Sequence, residues 1–395
     1  MTVEMNVYIP LSVVMFLEYA VWGAWAPVLA ARLLGPLKMS GKQTGWIYAT
    51  LPIACIVAPL IAGQMADQWF ATKWILAGAH LIGAVLLLAA AGQRTFGRLF
   101  AVMLLYSMCF AATLPLVNSV LFDQVKTVAE QGKVFIWAPV AWALVGYFLT
   151  GWRWIFKTEG EGRDCLLLAA VLSVVMGLAC FALPANELAR SGEIPIIKAF
   201  ALLRESNFLV FMVISMVIAG LMQFYFLGSG RFMIEQGMPA KNVSGAMALA
   251  QVAQAAATWY LLGRFLDKEG LDLGFKWTLV VGAACWLLMY VIYVGTKPRW
   301  LVVAAQPLHG LAYVFFIIAG QIYAESVAGA DIRSSVQALV FAATVGVGLF
   351  LGTQLAGTTM DRFKAGDKFQ WRPIWMVPFG IVLASTLALV ALFRA

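Results

Sequence analysis

Twelve apolar runs divide the chain, each close to the roughly 20 residues that cross a bilayer core of about 30 Å. They fall at 7–31, 43–65, 73–92, 98–121, 133–152 and 165–184, and again at 207–230, 242–263, 277–296, 300–323, 333–357 and 373–393. Backbone N–H and C=O groups in hydrocarbon must be satisfied internally, and a helix does this within one segment. The expected fold class is therefore an all-α membrane protein with twelve transmembrane helices. Composition supports this, since 63% of the 395 residues are hydrophobic and only 12% charged, about half the usual quarter. Too few polar residues remain to cover a soluble domain, which excludes a soluble enzyme, a nucleic-acid binder and a disordered scaffold. The 27 Lys and Arg that give the net charge of +8 are scattered over short inter-helix segments. That pattern fits anchoring at the lipid headgroups and gives no reason to expect nucleic acid as a partner.

The chemistry-bearing residues are few. Five cysteines form no CxxC pair and no Cys/His cluster, so neither a disulfide framework nor a metal site is expected, and no cofactor is implied. Met1 to Pro10 carries Glu4 but no Lys or Arg, so the first run reads as a retained helix and not a signal peptide. Both histidines lie inside apolar runs and no carboxylate cluster accompanies them, so the chain is not expected to be an enzyme. It has no Walker A motif for ATP-driven transport.

A short element recurs about half a chain apart. Gly63-Gln-Met-Ala-Asp67 precedes Lys73-Trp74 after the second run, and Gly263-Arg-Phe-Leu-Asp267 precedes Lys276-Trp277 after the eighth. Gly357-Thr-Thr-Met-Asp361 follows the eleventh. Glycine admits close helix approach, and the Asp is suited to capping the following helix. The repeat divides the chain into an N-terminal six-helix half (1–185), a cytoplasmic linker (186–206) with an interfacial helix, and a C-terminal six-helix half (207–395).

Two six-helix halves carrying G-x-x-x-D after helices two and eight resemble the major facilitator superfamily. That resemblance implies a secondary transporter working by alternating access. Longer runs are similar to one branch, the bacterial nucleoside:proton symporters. These are Phe16-Leu-Glu18-Tyr-Ala-Val-Trp22-Gly-Ala-Trp25, Lys73-Trp74 with His80-Leu-Ile-Gly-Ala84, Leu116-Val-Asn118-Ser119, and Glu325 with Ile332-Arg333-Ser-Ser-Val-Gln337. The resemblance implies a multi-pass protein of the bacterial inner membrane. It further implies a monomer bathed in membrane lipid that carries a nucleoside-like solute with a proton. The pocket departs from the branch. Phe135 and Pro139 stand where it has Arg and Thr, Phe226 replaces an Asn, and Gln254 a Glu. His309 replaces a Tyr and Val314 an Asp. These changes open a second possibility, a sugar or a less polar amphipathic compound.

An ionisable group in mid-membrane costs roughly 2.5–3.5 kcal/mol on insertion scales and is a functional candidate by default. Glu18 lies mid-way along helix 1 and shares a face with Trp22 and Trp25. It is a candidate for proton coupling, the alternative being a structural hydrogen bond. The branch usually has Gln there. His309, mid-way along helix 10, is a candidate for proton coupling or substrate contact, because an unperturbed imidazole titrates near neutral pH. His80 is expected to be structural. Gln223, Gln251 and Gln254 on helices 7 and 8, with Asn118 on helix 4, offer uncharged donors and acceptors suited to sugar hydroxyls or base edges. Trp22 and Trp142 are candidates to stack a planar ring, as are Trp25, Tyr225 and Tyr313. Gly23, Gly220 and Gly228 are read as close-approach or bending positions. Arg231 is expected to snorkel at the end of helix 7. Asp67, Asp267 and Arg333, with Asp123 and Glu325, are candidates for salt bridges that close an inner gate. In the orientation the branch implies, fewer than half of the 27 Lys and Arg face the cytoplasm, against the positive-inside rule.

Overall fold

Apolar runs set the helices and polar breaks end them. The computed structural model describes residues 5–125, 133–157, 162–183, 200–266, 271, 273–296, 298–327, 336 and 339–394, without the side chains at 60, 63, 64, 67, 68, 119, 122, 123 and 325. In the first half lie α1 (Met5–Trp25), α2 (Gly41–Gln68), α3 (Thr72–Gly92), α4 (Phe96–Gln124), α5 (Trp137–Ile155) and α6 (Arg163–Ala179). In the second lie α7 (Ser206–Glu235), α8 (Val243–Tyr260), α9 (Gly274–Gly295), α10 (Arg299–Ala324), α11 (Leu339–Arg362) and α12 (Trp371–Leu392). Among the described residues, ten helices are long and apolar enough to cross a membrane. The other two, α2 and α8, occupy the second and eighth apolar runs.

The chain folds as two compact units. One comprises Met1–Met39, Trp46–Gly192 and Ala240–Gly245, the other Ser40–Gly45, Glu193–Pro239 and Ala246–Ala395. In the first, α1 packs on α5 and α6 while α3 packs on α4 and α6. In the second, α7 packs on α11 and α12 while α9 packs on α10 and α12. Each pairing thus recurs six helices later.

Two details lay beyond sequence reading. Helices α10 and α11 each contain a π-helical stretch, at Tyr313–Ile318 and Ala342–Gly348, a local widening that often marks functional segments. A two-stranded hairpin, Lys364–Ala365 with Lys368–Phe369, turns at Gly366 with φ of 59°. Glu235 ties it to α7 by accepting hydrogen bonds from Phe369 N at 3.3 Å and Trp371 Nε1 at 2.8 Å. Arg231, expected to snorkel, instead pairs with Glu235 at 2.7 Å. The third G-x-x-x-D copy also behaves differently from expectation. Its Asp361 caps α2 and not the helix that follows it, accepting from Gly41 N at 2.5 Å and Lys42 N at 2.7 Å. The expected linker lies largely outside the described residues, and of its interfacial helix only a 3-10 turn at Leu202–Arg204 is described.

Small residues decide how near the helices come, as is common where lipid removes the hydrophobic drive between them. Gly220 on α7 sits against Gly348 and Gly352 on α11, and a methyl on Gly352 would collide with the Gly220 carbonyl. Gly23 accommodates Trp142, and Gly228 accommodates Trp375. Replacing Gly352 by Ala is expected to cost about 1–3 kcal/mol through overpacking. Gly92→Ala, where an added methyl meets nothing within 4 Å, serves as the near-neutral control. Thermal unfolding of the two purified variants makes the comparison, and equal stability would contradict the close crossing.

Candidate functional site

In the first unit, α1 places Glu18 and Trp22 one turn apart. Glu18 is fully buried, yet both carboxyl oxygens are engaged. His80 on α3 lies 2.8 Å from Oε2, and Thr113 on α4 lies 2.7 Å from Oε1. The other His80 nitrogen, Nδ1, is 3.1 Å from Ser173 Oγ on α6, and Ser173 donates to the His80 carbonyl at 2.9 Å. Four helices therefore close around one carboxylate. His80, read from sequence as a structural residue, is its direct partner.

An aromatic wall stands beside this cluster. Trp22 meets Trp142 edge-on with centroids 5.6 Å apart, and Gly23 leaves the room that lets Trp142 reach it. Phe110 touches both Trp22 at 6.0 Å and His80 at 6.1 Å, so one ring separates the carboxylate cluster from the tryptophan pair. Trp25 takes no part in the wall. It is buried and donates to Tyr106 Oη at 3.2 Å, a packing role that removes it from the stacking candidates. Asn118 lies on α4 with its Oδ1 buried and without a hydrogen bond among the described residues.

In the second unit, α7 meets α10 at His309 and α8 meets α10 at Gly310. A Cβ on Gly310 would overlap the Ala250 carbonyl and sit 2.8 Å from Gln254 N. The lack of a side chain at Gly310 lets α10 approach the backbone of α8 between Ala250 and Gln254. The His309 ring stacks on Tyr225 of α7, with centroids 3.9 Å apart and planes 9° from parallel, and Phe226 meets it edge-on at 5.8 Å. Tyr225, expected to stack a substrate ring, thus gives one face to His309. Trp286 Nε1 donates to His309 Nδ1 at 3.1 Å. An indole N–H is only a donor, so Nδ1 accepts and the neutral ring carries its proton on Nε2.

Gln306, which the sequence reading passed over, anchors this arrangement. Its Oε1 accepts from Tyr225 Oη at 2.8 Å, and its Nε2 donates to Tyr293 Oη at 2.6 Å and to the Val302 carbonyl at 3.0 Å. Its signal in the sequence was weak: one amide in an apolar run, like the other glutamines. Gln223 differs. It is 5% exposed, and its Oε1 is buried without a hydrogen bond among the described residues. Most buried polar atoms find a partner; the acceptors on Gln223 and Asn118 are the two side-chain amide oxygens among the buried polar atoms left without a hydrogen bond among the described residues. Of the gating candidates, Asp267 and Arg333 lie outside the described residues. Asp67, Asp123 and Glu325 sit in described helices, but their side chains lie outside the description.

The two kinds of amide predict opposite stability effects. Gln306→Met leaves the Tyr225 and Tyr293 hydroxyls without that partner in the interior, and is expected to cost about 1–3 kcal/mol. Gln223→Met removes an unsatisfied acceptor and is expected to leave thermal stability unchanged or raise it. A destabilised Gln223→Met protein, by thermal unfolding, would show that this amide is structural.

Comparison with known proteins adds a family-level finding. A family profile described as nucleoside H+ symporter matches residues 5–395. The nucleoside permease NupG of Escherichia coli (strain K12) is 26% identical over 408 residues, covering 99% of this chain and 96% of that protein. The putative nucleoside transporter YegT of the same organism is 29% identical, covering 96% and 91%. Its xanthosine permease is 25% identical, covering 96% and 94%. Among solved structures, the crystal structure of nucleoside transporter NupG superposes with a TM-score of 0.84 at 24% identity, covering 99% of this chain and 100% of that one. A bacterial homologue of the human lysosomal transporter Spinster gives 0.71 at 15% identity, covering 97% and 94%. These structural likenesses show the fold.

Proposed function

The chain belongs to the nucleoside:proton symporter family, and from that premise we propose which of its residues bind the solute and which bind the proton. It is a transporter and not an enzyme, a multi-pass protein of the inner membrane that moves a nucleoside or related neutral ring-bearing solute together with protons. The sugar or amphipathic alternative is not favoured by the family match. The protein works as a monomer in the lipid bilayer.

The solute is held by uncharged groups. In the second unit, Gln223 offers its bare carbonyl oxygen, His309 offers Nε2–H, and Gln251 and Gln254 offer amides from the adjoining turn of α8. In the first unit, Asn118 offers a second bare acceptor, and the Trp22–Trp142 pair offers an aromatic edge and face for the base. The observation that carries this reading is the pair of orphaned acceptors, Gln223 Oε1 and Asn118 Oδ1. A buried acceptor left without a donor costs stability. Nucleoside hydroxyls and base N–H groups are donors of the kind these atoms lack. The absence of a charged side chain from this set suits a neutral solute.

The proton is assigned to Glu18. It is a carboxyl group in the interior of α1, one turn from Trp22, bonded to His80 and Thr113 on two other helices, with Ser173 on a third holding His80. His309 is given to the solute, because Trp286 occupies the nitrogen that a second proton would need. Asp67 and Asp267 remain proposed inner-gate residues on the repeated motif, and Arg333 on its place in the sequence at the start of the eleventh apolar run.

Two measurements test this. Purified protein is expected to gain several degrees of thermal stability with uridine or adenosine, and Gln223→Met and Asn118→Leu are expected to lose most of that gain. In proteoliposomes, Glu18→Gln is expected to exchange labelled uridine but to lose accumulation driven by a pH gradient. Stabilisation by sugars and not by nucleosides would overturn the solute assignment. Full proton-driven accumulation by Glu18→Gln would remove the carboxylate from coupling.

A further inference from the structure

The hydrogen bonds around Glu18 restrict how many protons the site can hold. Ser173 has one hydroxyl hydrogen, and the His80 carbonyl, which can only accept, takes it at 2.9 Å. The lone pair left on Ser173 Oγ faces His80 Nδ1 at 3.1 Å. Nδ1 must therefore carry a hydrogen, so every state of His80 compatible with this geometry has Nδ1 protonated. On the other side, His80 Nε2 is 2.8 Å from Glu18 Oε2. A hydrogen must lie between them, because two bare lone pairs at that distance repel. This hydrogen makes the pair neutral overall, either as carboxylic acid with imidazole or as carboxylate with imidazolium.

Thr113 provides room for one more. Its hydroxyl lies 2.7 Å from Glu18 Oε1 and equally 2.7 Å from the Phe110 carbonyl. With Glu18 ionised, Thr113 donates to Oε1. With Oε1 protonated, Glu18 donates to Thr113, and Thr113 turns its single hydrogen to Phe110. In this second state His80 is imidazolium, donating from Nε2 to Oε2 and from Nδ1 to Ser173. Every hydrogen has an acceptor in both states, and no heavy atom needs to move. A state with no proton between Oε2 and Nε2 has no such solution.

We propose that Glu18, His80, Thr113 and Ser173 form one proton-exchange site that alternates between one and two protons, with the transported proton bound at Glu18 Oε1 and His80 taking the charge. Loading is simple proton addition. One O–H bond forms at Oε1, the proton between Oε2 and Nε2 settles on Nε2, and the site goes from neutral to a single positive charge. Unloading reverses both changes. An uncompensated charge in this setting is costly, and that cost keeps the second proton exchangeable. The surroundings leave the charge to these groups. Among the described residues, His80 is the titratable side chain paired with Glu18. The α5 side presents aromatic and apolar residues, and its Arg153 is committed to Asp164 at 2.6 and 2.7 Å. The inference deepens the coupling role proposed for Glu18 and rests on it only for the link to transport.

Infrared difference spectra of the purified wild-type protein, recorded across a pH titration, test the site without any solute. Acidification is expected to add one proton's worth of change: a protonated-carboxyl band grows where the pair rests as carboxylate and imidazolium, and the carboxyl band shifts while an imidazolium signature appears where it rests as acid and imidazole. That pH-dependent change is expected to be absent in Glu18→Gln, whose amide can satisfy His80 and Thr113 at once. Thr113→Val, which removes the acceptor for the second proton, is expected to displace the titration by about one pH unit, a tenfold change in proton affinity. His80→Gln is expected to hold a protonated carboxyl at every pH and to lose pH-driven uridine accumulation in proteoliposomes by about tenfold or more. A wild-type carboxyl band that does not change with pH would overturn the proposal whatever transport shows. So would a His80→Gln protein that titrates like the wild type. If His80→Gln fails to fold, Thr113→Val decides, and an unmoved titration there overturns it. A titrating cluster in a protein whose accumulation ignores Glu18→Gln would uphold the proton site and overturn the coupling role assigned to Glu18.

Discussion

Hydrocarbon offers no hydrogen bonds, and this one constraint shapes the molecule from backbone to site. It forces every apolar run into a helix, because only intra-segment bonding satisfies the backbone. It also makes each polar side chain inside the membrane answerable. Gln306 meets the demand by bonding two tyrosine hydroxyls and a backbone carbonyl. Glu18 meets it with His80 and Thr113. Gln223 and Asn118 leave an acceptor unmet among the described residues. The same rule thus separates amides that hold the fold from those available to a solute. That is a sharper distinction than residue type supplies.

Close helix contact follows from the same constraint. Where lipid is as apolar as leucine, helices gain by approaching until their backbones touch. Gly220 against Gly348 and Gly352 does this for α7 and α11, and Gly310 does it for α10 and α8. One residue before this second contact, the His309 ring rests on Tyr225 of α7. The π-helical stretch at Tyr313–Ile318 begins one turn beyond His309.

Much of this was legible in the sequence. Apolar run length located the helices to within a few residues, as at the run 98–121, found as Phe96–Gln124. Trp22 and Trp142 were both named as ring-stacking candidates, and the structure puts the two in contact. Other features needed coordinates for physical reasons. His80 looked structural because sequence spacing cannot say which helices face each other, and its partner lies 62 residues away. Trp25 shares a helix face with Trp22 by periodicity, but the neighbouring Tyr106 draws it into the core. Asp361 was expected to cap its own successor helix, yet it caps α2, a choice made by tertiary contact. Gln306 and Gln223 are the same residue type in similar runs, and only their partners tell them apart.

The central claim is that solute binding and the protonation of one buried cluster on α1 are linked. The direct measurement is the proton exchanged when uridine is added to purified protein in unbuffered detergent solution, followed with a pH indicator and compared between wild type and Glu18→Gln. The account predicts a proton change on binding in the wild type and none in the variant, with the variant still binding uridine. An equal proton change in both proteins would contradict it, because the coupled proton would then reside elsewhere.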